Sequence, residues 1–501
     1  MAAATRKRSW ALSVVILSIA ISSTTLSAWK DGSDNPPKTH ASDTAAKIKI
    51  NLDQATEVKL PQTRHFLTPA TFRTTKGEEG WIVRVPGGRP IATPAYADGM
   101  LFVGGGYGSH EFYAFNANTG DVVWKIDTGD DGPTAAVVEG GYVGFNTESC
   151  TVLVVDEKTG KIVWKEWLGD PLMSQPAISD GKLYIVYPGG QRNHKQAQIS
   201  PDTQGFSHRL LAADLKTGKH LWEQPIPSDV ISAPVISGGE VYVTCFEGTS
   251  LAFNARTGGV LWTKKGVATS APLAVGNQVV LTRKVQQAAK MYEGMVRIDA
   301  QKGEEKDKEL LAKTDADYLR EDRGSAAAMS FQVQKSLDSS VGFASAPAAA
   351  KIAQANKSVG VSSVVGGWAF QGSRAAHNGD SLFNAQGKYL NSVNAKDGKS
   401  QWQAELTGAH VNNAAQIFAP PALGREYMYL AGSNGLLVSV RQKDGGMGFA
   451  YALGKPIAFQ PALAKGNIYL GTADGSLICL KSGSVDADGW YSWGGNAQHN
   501  K

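Results

Sequence analysis

Apolar positions along most of this chain come in short runs separated by turns, and the runs recur as a unit. Residues 133–164 read PTAAVVEGGYVGFNTESCTVLVVDEKTGKIVW, and residues 234–262 read PVISGGEVYVTCFEGTSLAFNARTGGVLW. Each holds a Pro, a Gly turn, an apolar run with a Tyr, a second turn, another apolar run, and then Asp/Asn-x-x-Thr-Gly-x-x-x-Trp. Short apolar runs punctuated by Gly, Pro and Asp predict strands rather than helices. The turn recurs as Asn116–Gly120, Asp156–Gly160, Asp214–Gly218 and Asn254–Gly258, with looser copies at Asp299–Gly303, Asn394–Gly398 and Lys443–Gly445. Asp or Asn can bond the backbone just beyond itself, and Gly takes a positive φ without a Cβ clash. Such a turn joins two antiparallel strands tightly. Four residues after the Gly stands an aromatic: Trp124, Trp164, Trp222, Trp262, Trp402 or Phe449.

The openings of the units recur as well. Pro94, Pro133, Pro176, Pro234, Pro272, Pro421 and Pro461 each precede a short apolar run, and a weaker eighth opening lies near Arg374. Pro removes a ladder donor and so belongs at the start or edge of a strand. Pro94 to Pro133 is 39 residues and Pro421 to Pro461 is 40, a period that corresponds to one four-stranded propeller blade. The last unit lacks its final strand, whereas an orphan Gly77-x-x-x-Trp81 precedes the first Pro. The N-terminal strand is therefore expected to complete the last blade and close a ring of eight. A ring of seven would require the sixth unit to be spurious.

Two segments break the period. Residues 187–206 are polar and read as a loop, flanked by His194 and His208; neither has a metal partner at ligand spacing. Residues 304–365 form a longer insertion. Its first part, 304–321, is rich in Glu, Lys and Leu and predicts a helix, and Ser345-Ala346-Pro347 predicts the capped start of a second helix ending at Gly360. Tyr318, Leu319, Arg320 and Arg323, with Trp368, Gln371 and Arg374 just beyond, are candidate partner-binding residues. Trp368 is also the candidate for the docking aromatic that the fifth unit lacks.

Composition fits many turns and few helices, with 56 Gly, 12 Trp and only 19% charged residues in 501. The three cysteines, Cys150, Cys245 and Cys479, form no CxxC or CxxCH, which leaves no case for a zinc ribbon or c-type haem. Residues 1–28 carry a basic head (Arg6, Lys7, Arg8) and an apolar run from Trp10 to Ile21, and read as an export signal or an uncleaved anchor. Residues 29–74 read as a linker and 75–501 as the propeller. Removal of the signal takes the net charge from +5 to +2, which gives no electrostatic case for nucleic-acid binding. The expected setting is periplasmic or otherwise extracytoplasmic, as a monomer whose only membrane contact would be a retained N-terminus.

The turn-and-Trp unit resembles the repeats of the pyrroloquinoline-quinone (PQQ) repeat family, over residues 75–480 outside the insertions. The resemblance implies an all-β, eight-bladed propeller in which Trp81, Trp124, Trp164, Trp222, Trp262, Trp402 and Phe449 dock between neighbouring blades. It also implies two kinds of relative. One is the PQQ-dependent dehydrogenases, which hold the quinone in the central funnel with a Ca²⁺-type ion, a stacking Trp and an Asp base. Many of these also carry two adjacent cysteines. The other is the non-catalytic propeller scaffold of the outer-membrane β-barrel assembly machinery. No two cysteines are adjacent here, and the repeated Asp residues are accounted for by their turns. No catalytic, cofactor or metal residue is therefore assigned, and no HExxH, GxSxG or GxxxxGK[ST] occurs. The expected function is a cofactor-free scaffold that binds an envelope protein. A PQQ–calcium dehydrogenase of alcohols or sugars and a small-molecule or glycan sensor are the alternatives.

Overall fold

Each recurring turn is held by its own first side chain. Asp156 Oδ1 accepts from the backbone N–H of Thr159 at 2.9 Å and from its hydroxyl at 2.7 Å, and Gly160 N donates to Asp156 O at 2.9 Å. These bonds, that from the Thr159 hydroxyl first, hold the Asp156 carboxyl below the usual range. After the Gly the register shifts by a bulge, between Val154 and Val155 in this copy, and the returning strand sets Trp164 opposite Val154. The bulge recurs at Ala114/Phe115, Ala212/Ala213, Ala252/Phe253, Ser392/Val393 and Ser439/Val440. A small residue therefore lies beneath most of the large aromatics.

The computed structural model describes residues 45–106, 108–169, 174–189, 208–266, 268–315, 375–386, 388–411, 418–457 and 459–499. They build eight antiparallel sheets, whose four strands we letter a (innermost) to d. Blades 1 to 7 cover residues 95–127, 137–167, 177–226, 235–264, 273–315, 375–407 and 422–452. Blade 8 takes strands a to c from 462–481 and strand d from Glu79–Arg84. Each inner strand neighbours the next, and that of blade 8 neighbours that of blade 1, so the ring closes. The closing ladder is antiparallel, from Ser476↔Arg84 to Lys481↔Glu79. The sixth unit is a true blade, opening at Ala375–His377 immediately after Arg374.

Neighbouring blades are locked by the predicted aromatics. The indole N–H groups of Trp81, Trp124, Trp164, Trp222, Trp262 and Trp402 donate to the carbonyls of Ala117, Glu157, Leu215, Ala255, Ala300 and Gln442 in the following blade, at 2.6 to 3.3 Å. The ring then lies flat on the turn glycine. A Cβ on Gly258 would stand 2.8 Å from Trp222, at a φ of +74°. Gly258→Ala is expected to cost about 2–4 kcal/mol, the sum of left-handed strain and overpacking. Gly276→Ala, at φ +60° with open space around it, isolates the strain and should cost only about 1–2 kcal/mol. Equal losses in urea melts of the two variants would show that the Trp contact is slack.

Blade 5 departs from the pattern; Trp368, the candidate for its docking aromatic, lies outside the described residues. The blade 5–6 contact is made by Arg297, on strand c at the position other blades fill with a small residue. Arg297 Nη1 donates to the carbonyls of Ala395 (2.9 Å) and Lys396 (2.6 Å), where an indole would otherwise reach. A Cβ on Gly398 would meet Arg297 and Leu311, each at 2.9 Å. The large and small partners have exchanged strands. Phe449 also differs, because blade 8 has no c–d turn to receive it. It packs on Tyr429 and Tyr451 within its own blade.

Two further expectations are corrected. Residues 29–74 are not simply a linker. Ala46–Asn51 adds a parallel strand outside blade 6, Thr56–Glu57 adds one outside blade 7, and Ala70–Arg73 forms a hairpin on strand d of blade 8. The Lys-Ile-Lys-Ile alternation of 47–50 fits a strand with one face buried, and Ile48 reaches Gly445, the glycine on which Trp402 lies. The expected helix over 304–321 is replaced, as far as Asp315, by a strand: Leu311–Asp315 is strand d of blade 5. The unpaired edge of strand c recruits this stretch despite its helical composition, as tertiary pairing overrides local propensity. The expected helix at 345–360, and His194, lie outside the described residues.

Candidate binding surfaces

A propeller's inner strands surround a channel, and their channel-side N–H groups need partners. Here the C-terminal segment supplies several. Leu463 in blade 8, Tyr96 in blade 1, Val138 in blade 2 and Ile178 in blade 3 donate to the carbonyls of Trp490, Tyr491, Ala497 and Gln498, at 2.6 to 3.0 Å. The segment thus crosses four inner strands in succession. Trp493, 1% exposed, packs against Ala92, Ala135 and Ala233, which precede the inner strands of blades 1, 2 and 4. The alanines leave room for the indole. Gly494 and Gly495, both at positive φ, turn the chain beyond it. His499 then lies 3.6 Å from the Trp493 ring, with Nε2 3.2 Å from the Ser492 hydroxyl.

Complete burial holds the His499 pKa well below its usual value, so the ring is neutral in the fold. Unfolding releases it to titrate near 6.5, and protons then favour the unfolded state. The contribution is intact above the unfolded pKa and is lost as pH falls toward the depressed folded value. Stability, or retention of the segment, should fall by up to about 1.4 kcal/mol per pH unit below pH 6.5. A His499→Gln variant should lose that part of the slope, and identical pH profiles for the two proteins would refute the assignment.

Some of the channel's other polar groups bond to one another. Thr93 Oγ1 donates to Gln460 O at 2.8 Å, Gln460 Nε2 donates to Pro421 O at 2.8 Å, and Gln460 Oε1 accepts from Gly494 N at 3.3 Å. No group of three or more His, Cys, Asp or Glu among the described residues is arranged to hold a metal. Cys150, Cys245 and Cys479 are buried and form no disulfide. Burial pushes the thiols of Cys245 and Cys479 up, and Cys479 serves as the small residue opposite Trp81.

The seven docking aromatics therefore belong to blade–blade or blade-internal packing rather than to one site. Tyr318, Leu319, Arg320, Arg323, Trp368, Gln371 and Arg374 lie outside the described residues. Both interruptions leave from the same end of the ring, opposite the Thr-Gly turns. The first connects strands b and c of blade 3, and the second connects blade 5 to blade 6. Among the described residues no helix is long and apolar enough to cross a membrane; residues 1–28 lie outside them. Sequence reasoning missed the channel-filling segment. Its signal was the cluster Trp490-Tyr491-x-Trp493-Gly494-Gly495, too aromatic for a surface tail.

Eight blades, six of them locked to the next by a Trp and the last closed by an N-terminal strand, define a PQQ-repeat propeller. A family model described as outer membrane protein assembly factor BamB matches residues 70–192, 203–329 and 360–485, and the chain belongs to that family. It is 24% identical over 244 residues to the assembly factor BamB of Burkholderia pseudomallei, covering 40% of this chain and 63% of that one. It is also 30% identical over 206 residues to a tetrathionate hydrolase of Acidithiobacillus ferrooxidans, covering 38% and 39%. The chain thus spans less than two thirds of either relative. The crystal structure of BamB from Moraxella catarrhalis superposes with a TM-score of 0.51 at 11% identity, over 82% of this chain and 98% of that one. This last likeness is one of fold.

Proposed function

We propose that the protein is a non-catalytic, extracytoplasmic scaffold that binds another protein of the cell envelope. The observation that carries the reading is the filled channel. Trp493 of the segment that crosses four inner strands packs on Ala92, Ala135 and Ala233, beside the channel in which the resemblance would put a quinone. Membership of a family described as an assembly factor supports the same reading. A ring this heavily cross-braced offers a rigid frame. The test is to crosslink the exported protein in intact cells and identify what co-purifies, alongside a titration of PQQ with Ca²⁺. A reproducible envelope partner and no saturable PQQ binding are expected. Stoichiometric PQQ binding with dye-linked alcohol or sugar oxidation would overturn the scaffold.

The 30% identical segment of the tetrathionate hydrolase is the observation behind a second reading, hydrolysis of a sulfur oxyanion. Incubation with tetrathionate decides it: steady loss of tetrathionate with turnover favours the hydrolase, and its persistence disposes of it.

A further inference from the structure

Ring closure leaves a mark on the molecule. In blades 1 to 4, 6 and 7 a tight turn joins strand c to strand d, and Asp299–Gly303 lies at that place in blade 5. In blade 8 the two strands come from distant parts of the chain, and no turn joins them. Lys481 and Glu79 are the last register partners of the closing ladder. Beyond them Ser482–Val485 leaves in one direction, and the 74–78 hairpin turn arrives from another. Between these segments and the a–b hairpins of blades 7 and 8 lies a cleft of about 620 Å³.

The walls of the cleft carry an unbalanced charge. Lys76, Arg425, Lys465 and Lys481 line it, from four different segments. Among the described residues none of the four makes an ion pair, although Lys76 sits 5.4 Å over the Tyr451 ring. Three carboxylates, Glu78, Glu79 and Asp488, line it too, so their charges offset most but not all of the four cations. Glu79 is paired with Arg73. Glu78 accepts from the Tyr451 hydroxyl at 2.6 Å and from Thr74. Asp488 Oδ1 accepts from the backbone N–H of Lys465 at 3.0 Å. Val485, 74% exposed, forms an apolar lip.

We propose that this closure cleft is a binding site for a phosphate-bearing anion, held by Lys465, Lys481, Arg425 and Lys76. Cations converging from separate segments on one concave wall focus a positive potential there, and charge-assisted bonds to phosphate oxygens are among the stronger ones available. The lip at Val485 suits an ester whose organic part leaves the cleft. A free phosphate ester and a phospholipid headgroup share that chemistry, and the site is independent of the scaffold reading.

The experiment uses the full exported chain and two probes. Inorganic pyrophosphate is titrated by calorimetry, and binding to vesicles of phosphatidylglycerol is compared with phosphatidylcholine by sedimentation. Binding of at least one anionic probe is expected, weakening about tenfold in Lys465→Gln/Lys481→Gln and falling with added salt. Pyrophosphate binding without vesicle binding assigns a soluble ester, and the reverse assigns a headgroup. Lys125→Gln/Lys165→Gln, on the exposed strand d of blades 1 and 2, is the control for diffuse charge and should bind as well as the parent. Melting temperatures should be unchanged in all variants. Failure of both probes to bind, or equal weakening in the control, overturns the site.

Discussion

Arg297→Ala is expected to destabilise the propeller by about 3–5 kcal/mol, the range for removing one partner of a buried pair. Arg297 and Asp307 are each 7% exposed, with Nη2–Oδ1 at 2.6 Å and two further contacts from Nε at 3.0 and 3.2 Å. Asp307 Oδ2 also accepts from the backbone N–H of Arg297 at 2.8 Å. Truncating the arginine leaves the carboxylate buried without its cation, frees the carbonyls of Ala395 and Lys396, and opens a gap against Gly398. The double variant Arg297→Ala/Asp307→Ala should lose clearly less than the sum of the two single losses, because it removes the stranded charge as well. Urea melts of the cycle measure this. Losses under about 1 kcal/mol for the single variant, or simple additivity, would show that the pair does not lock blade 5 to blade 6.

Deleting residues 75–86 should have a still larger effect. The deletion removes strand d of blade 8, with Trp81, Ile82 and Val83 all fully buried, and leaves Ser476–Lys481 as an open edge. Trp81→Ala alone should cost about 3–5 kcal/mol, as for other large aromatic truncations in a core. The deletion adds the loss of a six-residue ladder and exposes an association-prone edge. Aggregation, or the disappearance of one cooperative melt, is expected by light scattering and calorimetry. Substituting Ile48 and Ile50 by Ser, which loosens only the added strand on blade 6, should lower stability while leaving the protein monomeric. A monomeric deletion variant with the parent's melting temperature would place closure elsewhere.

The sequence announces the ring because a period near 40 repeats the same turn, and a turn that needs a particular Asp/Asn and a particular Gly is readable without knowing what surrounds it. Closure was readable for the same reason, from the unmatched Gly77 and Trp81. What escaped notice depends on partners distant in sequence. Arg297 does the work of a Trp, but from strand c, where no motif directs attention. Leu311–Asp315 has helical composition and becomes a strand only because an edge is waiting for it. Lys47–Ile50 alternates clearly, yet its partner, Trp402–Leu406, lies far along the chain. The binding surface was less legible than the fold. The channel packing by Trp493 and the cleft at Lys465 and Lys481 both arise from how the ring ends, and no repeat encodes an ending.

The added strand on blade 6 carries one more consequence, in time rather than in space. Ile50 meets Thr407 across 357 positions, and Glu78 meets Tyr451 across 373. A ribosome adding roughly 5–20 residues per second needs about 20–75 s to deliver those partners. Throughout that interval Ala46–Asn51 and Thr56–Glu57 have no partner, and the hairpin of Ala70–Arg73 with Glu79–Arg84 keeps one open edge. These edges must be shielded or must tolerate waiting, and a chain truncated before residue 476 leaves Glu79–Arg84 without its partner on the last blade. The seam thus makes burial of residues 79–84 wait for synthesis of the last blade.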